Sequence, residues 1–213
     1  MMHPFHWALL ALSLSACAST APQGLPSLSY AADEIQLKNR EVSSDSDHKN
    51  ENKSYLSLDL PYAPFEKIRV NLEKQLHLNL KNRGEAHVTV ITPPEFKKLQ
   101  HKLSMKEIHR LAEKMGLEQS SYTPVCVGKS ALPQEGHTMA TYYVVVDAEN
   151  LFNIRKAVYE LFVKKGGKDS DFSPEKFYPH VTLGFTHRDL HFEDGITKDA
   201  SSCIYTLRPE SQK

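Results

Sequence analysis

The chain lacks a surplus of either charge. Its 213 residues carry 26 lysines plus arginines and 26 aspartates plus glutamates, so the formal net charge is zero. A sequence-independent grip on long nucleic acid draws on phosphate neutralisation and needs a basic surface. This composition argues against that class and leaves room for a small phosphate-bearing ligand held by a few groups. Cysteine is also scarce, with three in the chain. Cys126 and Cys203 stand 77 apart, which forms no metal-ligand pattern. They are either a disulfide, which an oxidising compartment permits, or two separate buried thiols. The apolar run Trp7 to Leu14 is too short to cross a bilayer as a helix. "GKS" at 128–130 has the look of a phosphate-binding loop's tail, but the loop's first glycine would fall on Thr123. "SSDSDHKNENKS", residues 43–54, contains no apolar residue and cannot offset its own ordering entropy by burial.

The N-terminus reads as a targeting segment. Its apolar run fits the central region of a secretory signal. The following Leu14-Ser15-Ala16-Cys17 resembles the lipobox of bacterial lipoproteins, in which the peptide is cut before a cysteine that then carries lipid. One departure is that "MMHPFH" holds no lysine or arginine, only His3 and His6. The resemblance implies a signal peptide over 1–16, lipidation at Cys17, and membrane attachment in a bacterial envelope. Ala18 in place of an aspartate favours the outer membrane. Residues 17–54 then read as a disordered tether, 55–207 as the folded domain and 208–213 as a tail.

Within 55–207 the patterning gives an α+β order. "YLSLDL" (55–60) alternates like a strand. Phe65, Ile68, Leu72, Leu76 and Leu80 share one helical face over 64–81, stopped by Gly84. "HVTVI" (87–91) is a β-branched strand ended by Pro93-Pro94, with a short helix starting just after the prolines. Ser104 and Glu107 form a capping box for a helix that stops at Gly116. Strands at 122–128 and 139–148 flank a loop with Pro133 and Gly136, and an amphipathic helix over 150–167 follows. "HVTLGF" (180–185) and "CIYTL" (203–207) complete the set. Each half delivers a helix to a His-Val-Thr strand, so the expected architecture has two sheet-containing lobes with helices 64–81 and 150–165 outside.

The chemistry sits in those two strands. Residues i and i+2 of a strand share a face, so His87 pairs with Thr89 and His180 with Thr182, while Val88 and Val181 turn to a core. Two imidazoles can supply a base and an acid near neutral pH, and two hydroxyls can donate to anionic oxygens. That set suits in-line attack at phosphorus with little need for a metal.

His87-Val88-Thr89 and His180-Val181-Thr182, with Pro179 before the second and Leu183-Gly184-Phe185 after it, resemble the paired motifs of the 2H phosphoesterase superfamily. "AHVTVITPPEF" is similar to its bacterial Swiss-army-knife branch. The resemblance covers about 55–207. It implies a bilobal fold of two pseudo-symmetric lobes, with antiparallel sheets around a central cleft and helices outside. It also implies His87 and His180 as the acid/base pair, Thr89 and Thr182 on the phosphate, and no cofactor. The implied substrate is a 2′,3′-cyclic or 2′-5′ phosphodiester of a nucleotide or short RNA, with no protein partner and a monomeric chain. A non-catalytic nucleotide-binding lipoprotein and a 2′-5′ RNA ligase-like activity are the rival readings. Tyr178, two before His180, is a candidate to stack on a base or ribose; the competing reading is a half-buried tyrosine at the strand's start. Arg83, just before the first motif, has two readings, a contact to phosphate or carboxylate and a solvated arginine at a helix end, of which the second is favoured. His187 and His191 have metal-like spacing only on a helix, which "HRDLH" does not predict.

Overall fold

The computed structural model describes residues 24–30 and 54–209. The expected signal peptide, Cys17 and most of the expected tether lie outside the described residues. Among the described residues seven strands form one mixed sheet, and four α-helices accompany it. The strands are β1 (Ser27–Tyr30), β2 (Leu56–Leu60), β3 (Ala86–Ile91), β4 (Thr123–Gln134), β5 (His137–Asp147), β6 (His180–Phe185) and β7 (Cys203–Pro209). The helices are α1 (Tyr62–Leu76), α2 (Pro93–Leu99), α3 (Met105–Lys114) and α4 (Glu149–Lys164). No described helix is long and apolar enough to cross a membrane.

Where two antiparallel sheets are expected, one is found, in the order β1-β7-β4-β5-β6-β3-β2. Every neighbouring pair is antiparallel except β1 with β7. The two motif strands are neighbours in this sheet, with five strands on the β6 side and two on the β3 side. β3 and β6 register there at Val88–Val181 alone, a narrow seam beside the long β4–β5 hairpin. That hairpin closes in two residues, with Gly136 at φ +78°, a left-handed conformation that glycine adopts without strain.

The sheet's faces divide the labour. Val88, Val144 and Val181 point to one side and join a single core with Phe65, Ile68, Leu99, Ile108, Ile154 and Val158, so side chains from all four helices cover that face. The opposite face of β3 and β6 carries the half-exposed His87, Thr89, His180 and Thr182. On the same face, further along the sheet, Cys126 and Cys203 are joined in a disulfide with Cα atoms 5.8 Å apart, packed with Tyr143 and Val145. Of the two alternatives the sequence leaves open, this is the pair.

Further expectations are corrected; the expected loop with Pro133 is strand up to Gln134. Helix α1 ends at Leu76 rather than 81: His77 takes a left-handed φ of 51°, and its N–H still donates to the Glu73 carbonyl. The chain beyond is extended; the Leu80 N–H donates to Glu73 Oε1 at 2.7 Å, and Lys81 and Phe185 exchange both backbone hydrogen bonds. Helix α2 includes the two prolines. They occupy its first turn, where a missing N–H costs nothing, and Thr92 and Glu95 cap it reciprocally. Ser27–Tyr30, expected within the tether, is an edge strand held by β7 with Leu28 only 2% exposed. The last strand runs on through Pro209, past the expected domain end at 207.

Candidate functional site

Two motif strands side by side make the site. Carrying the Val88–Val181 register one residue each way sets His87 across from Thr182 and Thr89 across from His180. All four line one cleft of about 500 Å³, together with Tyr178. The structure therefore brings together every residue the motifs nominate.

The glycine after the second motif has a local reason. A Cβ on Gly184 would stand 2.8 Å from both the Leu80 Cβ and the Lys81 carbonyl oxygen, so the extended 80–81 segment passes too close for any side chain. The loop before His180 is fixed from behind by Arg155 of α4. This guanidinium is almost fully buried, between the rings of Phe172 and Phe177. It donates to the carbonyls of Ser173 and Pro174, to the Val90 carbonyl of β3 at 2.7 Å, and to both oxygens of Glu95. One side chain thus ties the first motif strand to the approach of the second.

The two histidines sit in different fields. His180 Nδ1–H donates to the Tyr178 carbonyl at 2.7 Å, which leaves Nε2 as an acceptor. Lys198 Nζ donates to that Nε2 at 3.2 Å and to Asp189 Oδ1 at 3.1 Å. Thr182 Oγ1 donates to Asp189 Oδ2 at 3.4 Å. Burial and then the Lys198 charge push the His180 pKa down to about 3, so the ring is neutral at physiological pH. Burial opposes ionisation of Asp189, but the charges of Lys198 and His191 outweigh it and hold the carboxyl below its ordinary value. The His87 pKa is also lowered by burial, but the carboxylates of Glu85 and Asp59 pull it part of the way back. Glu85 Oε1 lies 3.7 Å from His87 Nδ1, and the Tyr55 ring centroid lies 6.0 Å from the His87 ring.

Aromatic rings edge the cleft. Tyr178 faces Phe192 with ring centroids 6.3 Å apart and planes within 19°, and Phe192 is 53% exposed. Beneath the site, Tyr143 meets the His180 ring edge-on and carries Lys198 Nζ 5.3 Å from its centroid. Its hydroxyl lies 2.6 Å from Ser130 Oγ.

The family model of the Swiss Army Knife 2H phosphoesterase domain matches residues 54–191. The chain belongs to this 2H phosphoesterase family. No curated protein and no solved structure matches it. A phosphodiesterase-type function follows in general terms from membership.

Two residues of this 2H phosphoesterase site were not found from the sequence. Asp189 stands between His187 and His191 in an irregular segment, and Lys198 sits in another beyond the matched region. A lysine and an aspartate that neutralise each other through tertiary contact leave no periodic signal. The considered pair His187 and His191 has separate surroundings. His187 lies against the His137 ring at 4.2 Å, and His191 precedes the Phe192–Asp194 turn. Among the described residues no group of three histidine, cysteine, aspartate or glutamate side chains is placed to hold a metal ion. Arg83 lies at the rim of the cleft.

Proposed function

We propose that this cleft hydrolyses a 2′,3′-cyclic or 2′-5′ phosphodiester of a nucleotide or short RNA by two-histidine acid/base catalysis. The observation that carries the reading is the crossed arrangement of the two His-x-Thr pairs on one face of adjacent antiparallel strands. Each hydroxyl stands beside the other motif's imidazole, so a phosphate between the strands meets a proton carrier and a donor on both sides.

The different fields of the histidines support an assignment of roles. His180, neutral and with Nε2 free of a proton, is the base, and His87, whose pKa is lowered by burial but partly restored by Glu85 and Asp59, is the acid. On a 2′,3′-cyclic phosphate, His180 Nε2 takes a proton from water as its oxygen attacks phosphorus. The P–O bond to one ribose oxygen breaks, and the His87 imidazolium protonates that oxygen. The product is a phosphomonoester with a free neighbouring hydroxyl, and the two rings regain their starting states through solvent. Thr89 donates to one non-bridging oxygen, Thr182 turns its one hydroxyl proton from Asp189 to another, and Tyr178 stacks on the base or ribose. The equivalent placement of the motifs on neighbouring strands supports reading the domain as two related halves. All the protons are accounted for by these side chains, so turnover persists in excess chelator.

The decisive assay is a panel of 2′,3′-cyclic nucleotides, 2′-5′ dinucleotides and oligonucleotides with cyclic-phosphate ends. His87→Ala and His180→Ala abolish turnover and retain binding. If the unmutated protein turns over no member of the panel from pH 5 to 9, the cleft is a binding site instead. Joining of ends in place of cleavage would turn the reading to a ligase.

The same proposal includes export and lipidation at Cys17 in a bacterial envelope, with the outer membrane favoured. The Cys126–Cys203 disulfide supports an oxidising compartment. Cys17→Ser moves the protein from the membrane to the soluble fraction; an unchanged distribution refutes the anchor.

A further inference from the structure

We propose that Lys198 is a catalytic residue of this cleft, whose ammonium masks His180 Nε2 in the free site and transfers to a non-bridging phosphate oxygen when substrate binds, unmasking the base. The inference rests on the phosphodiester reading above and adds a group outside the motifs and outside the matched region.

The geometry carries it. Lys198 is a cleft-lining residue only 4% exposed, and an ammonium so withdrawn from water needs strong acceptors. Among the described residues, two of its three donors go to Asp189 Oδ1 and His180 Nε2. A structural ion pair is complete with the carboxylate. The second contact instead occupies the nitrogen on which the proposed base depends. Neutral imidazole is a weaker partner for an ammonium than an anionic phosphate oxygen, because only the phosphate adds a charge–charge attraction to the hydrogen bond. A phosphodiester settling against Thr182, whose hydroxyl shares Asp189 with Lys198, therefore competes successfully for the ammonium. Asp189 keeps hold of the lysine throughout, so the move is a swing about a fixed partner. The Tyr143 ring underneath gives the ammonium an electron-rich floor in either position.

Other charges face this pair. Asp189, His191, Arg83 and Asp194 act on Lys198 or His180, and Glu85 and Asp59 act on His87 across the cleft. Burial lowers the Lys198 pKa and Asp189 restores part of it. In the free site the Lys198 charge depresses the His180 pKa. The acid limb of kcat/KM, which reports the free enzyme, therefore lies lower than His180 alone would set it.

The test compares Lys198→Met, and the double variant Asp189→Asn/Lys198→Met, with the unmutated full chain. In both variants kcat falls by about 10²- to 10³-fold, the loss typical of one preorganised electrostatic group. In Lys198→Met the acid limb of kcat/KM rises by about one unit or more, the usual effect of removing a like charge at contact distance. The double variant leaves no buried lone carboxylate, and it melts close to the unmutated protein while staying slow. Recovery of turnover in the double variant would overturn the proposal, since Lys198 would then only neutralise Asp189. So would a kcat within threefold of normal with an unmoved acid limb. If the unmutated protein cleaves nothing on the panel, the reaction reading fails, and calorimetry with inorganic phosphate decides on Lys198. Weaker phosphate binding in the double variant sustains the anion contact, and equal binding refutes it.

Discussion

Replacing Cys126 and Cys203 together with alanine opens a covalent loop whose ends are 77 residues apart. A cross-link over that span removes about 15 cal/mol/K of chain entropy from the unfolded state, which corresponds to about 4.5 kcal/mol at 25 °C. For a domain of this size each kcal/mol moves Tm by about 2–4 °C, so the double variant melts roughly 10–15 °C lower. The bond joins β4 to the start of β7, and Lys198 lies five residues before Cys203, so the segment that carries the buried ammonium loosens as well. The assay is thermal unfolding by circular dichroism with and without reductant, alongside peptide mapping of the Cys126–Cys203 pair. Reduced unmutated protein should melt with the double alanine variant, and the oxidised protein well above both. A gap under about 3 °C, or a bridge absent from the peptide map of protein from the oxidising compartment, would refute the reasoning.

Arg155→Met strands Glu95 and several loop carbonyls, and breaking a buried pair from one side costs about 3–5 kcal/mol, measurable as a lower urea midpoint. Arg155→Lys does not rescue it, because a single ammonium cannot reproduce the fork that reaches Val90, Ser173 and Glu95 together. Gly184→Ala forces apart the Lys81–Phe185 pairing and costs about 1–3 kcal/mol by the same measurement; an unchanged midpoint would mean the 80–81 segment is not held there. His180 is neutral when folded, with a pKa pushed down to about 3, and an unfolded histidine takes its proton near 6.5. The unfolded state therefore binds more protons between those values, and this contribution to stability, full above about pH 6.5, is lost as pH falls toward 3. Melting curves from pH 8 to 4 should fall less steeply in His180→Gln; parallel curves would count against the buried neutral ring.

Much of the site was legible because its signal is local. Period-two alternation puts His87 with Thr89 and His180 with Thr182 without reference to the rest of the chain, and β-branched neighbours mark both stretches as strands. The Ser104–Glu107 capping box is equally local. The Thr92–Glu95 box is equally local, but Pro93-Pro94 ends a strand pattern and opens a helix at once, so the two prolines that stop β3 also form the first turn of α2. What was not legible depends on distant partners. The apolar spacing of α1 continues to Leu80, and only the left-handed His77 and the pairing of Lys81 with Phe185 end it. Ser27–Tyr30 is too short to declare itself and is a strand because β7, at the far end of the chain, completes its hydrogen bonds. The disulfide, the Arg155 tie and the Lys198–Asp189 pair all join residues whose sequence contexts are individually ordinary.

The seam between β3 and β6 has a mechanical consequence. On one side lie β2–β3 and on the other β6–β5–β4–β7, with the disulfide. Across it run one strand register at Val88–Val181, the Lys81–Phe185 exchange, the Arg155 guanidinium and the shared helix-covered core on the opposite face. With so little backbone pairing, this is the thinnest line of strand hydrogen bonds in the sheet. His87 lies on one side of it and His180 on the other. The spacing a phosphate meets is therefore set by how the two sides of the sheet are held together, and the Arg155 tie is one of the contacts that hold it.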